Sequence, residues 1–125
     1  MTQNEKDLLL IDICARLPYN VAIDCRDEDS RFTCYLTTDM LREIQNNNCY
    51  YEYKPYLFPL SSMTEEQKKE LDDTLIELEL KVINDEIPHH KVAEYEIDFY
   101  NRYHLDYRGL IEKGLAFDAT GLNVY

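Results

Sequence analysis

Glycine is almost missing from this chain: there are three in 125 residues, Gly109, Gly114 and Gly121, all near one end. They cannot make a Gly-x-Gly-x-x-Gly turn or a P-loop, so the usual backbone cradle for a nucleotide phosphate is excluded. Tryptophan is absent, which leaves aromatic packing to eleven tyrosines and four phenylalanines. Basic residues are scarce as well, with 13 Lys and Arg against 25 Asp and Glu and a net charge of −12. A field of that sign repels phosphate backbones and anionic headgroups, so direct nucleic-acid binding is not expected. It suits a basic protein partner, or a place in a DNA-binding groove instead of DNA. Long apolar runs are also lacking. Leu8 to Ile11 is cut off by Asp12, far short of the roughly 18 residues of a membrane span. The start, Met1-Thr2-Gln3-Asn4-Glu5-Lys6-Asp7, has no basic region leading into an apolar core, so a cytoplasmic protein without a membrane segment is the expectation. The four cysteines, Cys14, Cys25, Cys34 and Cys49, contain no Cys-x-x-Cys pair. Reduced core thiols are therefore expected rather than a zinc knuckle.

What is present suffices for one folded domain over residues 1–125, since 45% of the residues are hydrophobic and a chain of this size buries roughly two thirds of its unfolded surface. Asn4 is placed to cap a first helix whose apolar side takes in Leu8, Ile11 and Ala15 with Leu9, Ile13 and Leu17. Pro18 ends it and pushes Leu17 toward extended geometry. Tyr19, Val21, Ile23 and Cys25 then alternate with polar or small residues, and Phe32, Cys34 and Leu36 alternate after the polar turn at residues 26–30, which reads as a hairpin. Pairing Ile23 with Leu36 would set Cys25 opposite Cys34.

Residues 38–44 fit a short capped helix and Asn46-Asn47-Asn48 a turn. Cys49 to Tyr53 has the aromatic bias of a third strand, and Pro55 and Pro59 hold Tyr56-Leu57-Phe58 extended. Thr64 and Gln67 make a capping box that opens a long helix. Its stripe of Leu71, Leu75, Leu78 and Val82, broadened by Ile76, Leu80 and Ile83, reads as core. Another helix starts near His90 with Val92, Tyr95, Phe99 and Tyr103 on one face. Asp106 is placed to cap a short helix closed by a left-handed Gly114, with Leu115 folding back on Leu110. Residues 116–119 suit a last strand or an extended tail, and fraying is expected beyond Gly121. The predicted architecture is α+β: a small antiparallel sheet over residues 19–58, packed against an N-terminal helix and two C-terminal helices.

Two blocks, KPYLFPLSSMTEEQ at residues 54–67 and DFYNRYHLDYRGLIEKGLA at residues 98–116, together with DICARLPY at residues 12–19, cover about a third of the chain. In that order they resemble a family of small proteins of gut Bacteroidales genomes, prophages and mobile elements. The family reads leucine-asparagine-alanine-histidine-histidine where this chain has Tyr100-Asn101-Arg102-Tyr103-His104, so only His104 of the two histidines is retained. The resemblance implies a genomic setting and carries no reaction with it.

Three clusters are candidate sites. His104, Asp106 and Arg108 put an imidazole, a carboxylate and a guanidinium within five residues, the ingredients of acid–base chemistry if they converge. They serve equally as a cap and an ion pair. His90 and Glu94, four apart on a helix, are weak candidate metal ligands. Tyr50, Tyr53 and Tyr56 concentrate rings suited to a protein interface. No cofactor is called for. The expected function is a non-enzymatic protein-binding module, an accessory protein of a phage or mobile element with a protein partner. The alternatives are a DNA-mimicking acidic inhibitor, or a small hydrolase or metal-dependent enzyme centred on His104 or His90.

Overall fold

The structure, a computed structural model, describes residues 1–47 and 50–125. Asn48, expected in a turn, and Cys49, expected at the start of a strand and as a core thiol, lie outside the described residues. Helix α1 (Gln3–Arg16) begins at a capping box: the Thr2 hydroxyl accepts from the Glu5 amide at 3.1 Å, and the Glu5 carboxylate accepts from the Thr2 amide at 2.9 Å. Asn4, expected as the cap, lies inside the first turn because this reciprocal pair satisfies two orphan amides where a lone side chain satisfies one. Leu17 also departs from expectation. It keeps right-handed dihedrals (φ −52°, ψ −42°), and the chain tightens into a 3-10 turn over Leu17–Tyr19, since proline is tolerated in the first turn of a helix.

Strand β1 (Ala22–Arg26) is central, antiparallel to β2 (Arg31–Tyr35) and to β3 (Glu52–Pro59). The hairpin forms two residues out of the expected register: Ile23 faces Cys34, and Cys25 faces Phe32. An even shift keeps the same side chains inward, and a four-residue loop held by Asp27 fits it. The Asp27 carboxylate accepts from the amides of Asp29 and Ser30, and the Asp27 amide donates to the Ser30 carbonyl. With the Leu36 amide donating to the Val21 carbonyl, the odd-numbered residues of β1 turn their backbone groups toward β2. Pro55 faces Ile23 from the other side, at a position that needs no amide, so a proline sits in an interior strand without losing a ladder bond.

The sheet is mixed rather than wholly antiparallel. Two short segments, β4 (Leu105–Asp106) and β5 (Phe117–Asp118), pair with β3 in parallel. Both faces of β1 are covered. On one, Leu9 and Ile13 of α1 and Ile44 of α2 (Thr38–Gln45) meet Ile23, Cys25, Leu57, Leu110 and Leu115. The buried side of α1 is Leu9, Asp12, Ile13 and Arg16, while Ile11, expected inside, is exposed. On the other face Ala22, Tyr56 and Ala119 gather Phe58, Phe117 and Val124, and the buried Asp24 carboxylate is held by Arg31 at 2.6 Å and by the Tyr56 hydroxyl at 3.1 Å. The last residues do not fray. The Tyr125 hydroxyl donates to the Tyr56 carbonyl at 2.6 Å and accepts from the Ala22 amide at 3.0 Å, a buried donor that would otherwise lack a partner.

Helices α3 (Glu65–Ile83) and α4 (His90–Arg102) form an antiparallel hairpin. Glu70, near the start of α3, takes Arg102 at 2.8 Å and the Tyr103 hydroxyl at 2.7 Å from the end of α4. Leu71, Phe99 and Leu105 are the buried residues joining this hairpin to the sheet. No helix among the described residues is long and apolar enough to cross a membrane.

The expected short helix after Asp106 is absent, and residues 107–116 run as turns. The Asp106 carboxylate nonetheless accepts the amides of Leu110 (2.9 Å) and Ile111 (3.0 Å). Gly114 is left-handed (φ +72°), and the Leu115 amide reaches back to the Leu110 carbonyl at 3.0 Å, so the capping motif persists without the helix. A Cβ at Gly114 would meet nothing within 4 Å. Gly114→Ala should therefore cost about 1 kcal/mol through backbone conformation alone, seen as a lower urea midpoint at unchanged m-value.

Candidate functional site

His104 follows Tyr103, the residue capping α4, and takes the left-handed position with φ +58°. Histidine is among the few non-glycine residues enriched there. Its amide donates to the Asn101 carbonyl at 3.2 Å, and its carbonyl accepts the Phe58 amide at 2.8 Å, so the strained residue joins the helix end to β3. The ring stacks on Tyr125 with centroids 3.7 Å apart. Burial, with a smaller contribution from the nearby Arg16 charge, lowers its pKa to about 4. The imidazole is neutral at pH 7. A cavity of about 360 Å³ lies beside it, lined among others by Phe58, Thr64, Gln67, Arg102 and Tyr125, and no described lining residue is a carboxylate.

His104, Asp106 and Arg108 do not converge. Asp106 faces the turn amides, and Arg108 reaches across to α1, where its Nη1 lies 3.1 Å from Asp12. That contact belongs to a buried polar centre. Arg16 and Asp12, both without solvent exposure, meet through Nε–Oδ2 at 2.8 Å and Nη2–Oδ1 at 3.0 Å. Arg16 Nη2 also donates to the Leu105 carbonyl at 2.8 Å. The Tyr107 ring lies under both guanidiniums, 5.3 Å from that of Arg16 and 4.5 Å from that of Arg108, and its hydroxyl donates to Asn101 at 2.9 Å. One carboxylate thus bridges two cations and ties α1 to the β4 turn. Sequence reasoning missed Asp12 and Arg16. The available signal was a pair of opposite charges four apart on the same helix side as Leu9 and Ile13.

The three tyrosines are dispersed. Tyr50 is exposed, edge-on to Tyr51 at 4.9 Å. Tyr53 is half-buried with its hydroxyl on Glu43 at 2.6 Å. Tyr56 is buried on Asp24 and presents no surface, which corrects the expectation of a shared patch. Residues three apart on a strand point to opposite faces. His90 and Glu94 are exposed at the head of α4, and Glu94 pairs with Lys91 at 3.1 Å. Among the described residues, no three His, Cys, Asp or Glu side chains group as metal ligands.

The other conspicuous feature is on α3. Leu71, Leu75, Leu78 and Val82 turn toward α4, but Ile76, Leu80 and Ile83 are 58%, 55% and 75% exposed, which corrects their assignment to the core. At spacings of four and three they form a second apolar stripe, well over a quarter turn away from the first. Asp72, Asp73, Glu77 and Glu79 border it, on a helix with seven acidic and three basic residues.

No family model, curated protein or solved structure matches the chain.

Two measurements probe the polar centre. Asp12→Ala strips a buried guanidinium of its carboxylate and should destabilise the fold by about 3–5 kcal/mol in equilibrium unfolding. For His104, the folded pKa of about 4 lies below the ordinary 6.5. Between those values the unfolded chain binds a proton that the folded chain refuses, so this group lowers stability as pH falls from 6.5 toward 4. His104→Asn, which keeps a residue tolerant of the left-handed position, should flatten the stability profile in that window relative to the parent.

Proposed function

We propose that this chain is a protein-binding module, an accessory protein of a phage or mobile element, that takes a basic amphipathic helix of its partner on the outer face of α3. The observation carrying this reading is the stripe of Ile76, Leu80 and Ile83, which lies bare in a fold that covers both faces of its sheet. The likeness of residues 54–67 and 98–116 to the Bacteroidales family supports the genomic setting. Burying each aliphatic side chain is worth at most about 2 kcal/mol, against an association cost of order 4–15 kcal/mol. Three such residues alone give weak attachment, so the acidic rim must contribute, and it selects lysine or arginine beside the partner's apolar residues. A second copy is disfavoured, because like carboxylates would face each other on chains that each carry −12. The carboxylates flank an apolar stripe instead of running unbroken, which favours an amphipathic helix as the occupant over mimicry of DNA in a DNA-binding groove.

The test is fluorescence anisotropy with a labelled amphipathic peptide of leucine and lysine, beside the same pattern with glutamate replacing lysine. The lysine peptide should bind, weaken with salt, and lose about tenfold or more in affinity with Leu80→Glu, while the glutamate peptide stays free. Unchanged or tighter binding to Leu80→Glu would reduce the interaction to bulk charge and overturn the reading. So would sedimentation showing a dimer of the chain that this substitution dissolves.

A further inference from the structure

The hairpin of β1 and β2 holds a cysteine pair that the docking surface does not use. Cys25 and Cys34 sit diagonally on the same sheet face, since Cys25 faces Phe32 and Cys34 faces Ile23. Diagonal neighbours on a flat ladder are set too far apart for easy bridging. Here the two sulfurs nonetheless lie 2.6 Å apart, and both are free thiols. Their surroundings differ. Cys25 is fully buried, whereas Cys34 is half-buried on the strand at the sheet's edge. Cys14, the other free thiol among the described residues, is exposed on α1.

We propose that Cys25 and Cys34 are a peroxide-reactive pair that closes into a reversible disulfide across the hairpin, with Cys34 attacked first. The Cys34 sulfur, as thiolate, displaces hydroxide from hydrogen peroxide. The O–O bond breaks, an S–O bond forms, and the hydroxide takes a proton to become water. The Cys25 sulfur then attacks the Cys34 sulfur. The S–S bond forms as the S–O bond breaks, and the second hydroxide leaves as water with the Cys25 proton. Two thiols are oxidised by two electrons and one peroxide is reduced to two waters. The order follows from access and acidity: burial pushes the Cys25 thiol up to about 12, so Cys25 stays protonated until its neighbour has become an electrophile. The product pins the open edge strand to the centre of the sheet.

The experiment treats folded C14S/C49S protein with stoichiometric hydrogen peroxide, then quenches in acid and maps the peptides by mass spectrometry. A single Cys25–Cys34 cross-link is expected, with the loss of two hydrogens, reversal by a small thiol, and a thermal midpoint raised by about 5 °C or more. With Cys25→Ser added, Cys34 should accumulate as a dimedone-trappable sulfenic acid; with Cys34→Ser, Cys25 should stay unmodified. If the C14S/C49S chain does not fold, the same map on the parent chain decides, with the 25–34 link expected first. Oxidation of Cys34 to sulfinic acid without a link would overturn the proposal, as would a link that forms only after unfolding, or equal reactivity of Cys25 in the Cys34→Ser variant.

Discussion

One buried carboxylate, Asp12, organises the middle of this molecule. Two guanidiniums converge on it, from Arg16 one helical turn along α1 and from Arg108 in the turn after β4. A buried charge is tolerable only when paired and hydrogen-bonded. The demand is met by bringing together parts of the chain that are 96 residues apart. Arg16 spends a donor on the Leu105 carbonyl, fixing the short strand that closes on β3, and Tyr107 carries the contact on to Asn101 in α4. The positive balance of the centre also helps hold His104 neutral beside it. His104 itself joins the end of α4 to β3 through its backbone and stacks its ring on Tyr125.

Around that centre the chain divides its labour. The sheet is closed on both faces, by α1 and α2 on one and by residues 117–125 on the other, with Tyr125 hooked to the backbone of β1 and β3. The α3–α4 hairpin is anchored near one end by Leu71, Phe99 and the Glu70 contacts, and beyond that anchor α3 has apolar side chains to spare. Closed body and bare helix face belong together physically. A stable core lets an exposed stripe persist without drawing the fold into rearrangement, and the strong negative charge opposes self-association through it.

Much of the fold was legible locally. The capping box at Thr64 and Gln67, the hairpin, the α+β class and the left-handed Gly114 each depend on interactions within a few residues. The site was less legible. Tyr56 and Tyr53 look alike in composition, and only strand parity and the partner Asp24 send one inside. His104, Asp106 and Arg108 fall within five residues yet serve three surroundings, because each answers to a different group: His104 to the remote Tyr125, Asp106 to the amides of the turn that follows it, and Arg108 to the remote Asp12.

Periodicity and capping chemistry in the chain by themselves located the four helices and the strands β1 to β3, since those signals act over one or two turns; at residues 105–116 the same signals pointed to a helix that the parallel pairing of β4 with β3 and a run of turns replace. Which of two apolar stripes on α3 is covered, which charges are buried, and how near Cys25 lies to Cys34 were decided only by the tertiary structure. Those outcomes depend on the packing of segments far apart in sequence and on a register whose two-residue alternatives bury the same side chains. Local pattern cannot separate such alternatives; only the assembled layers do.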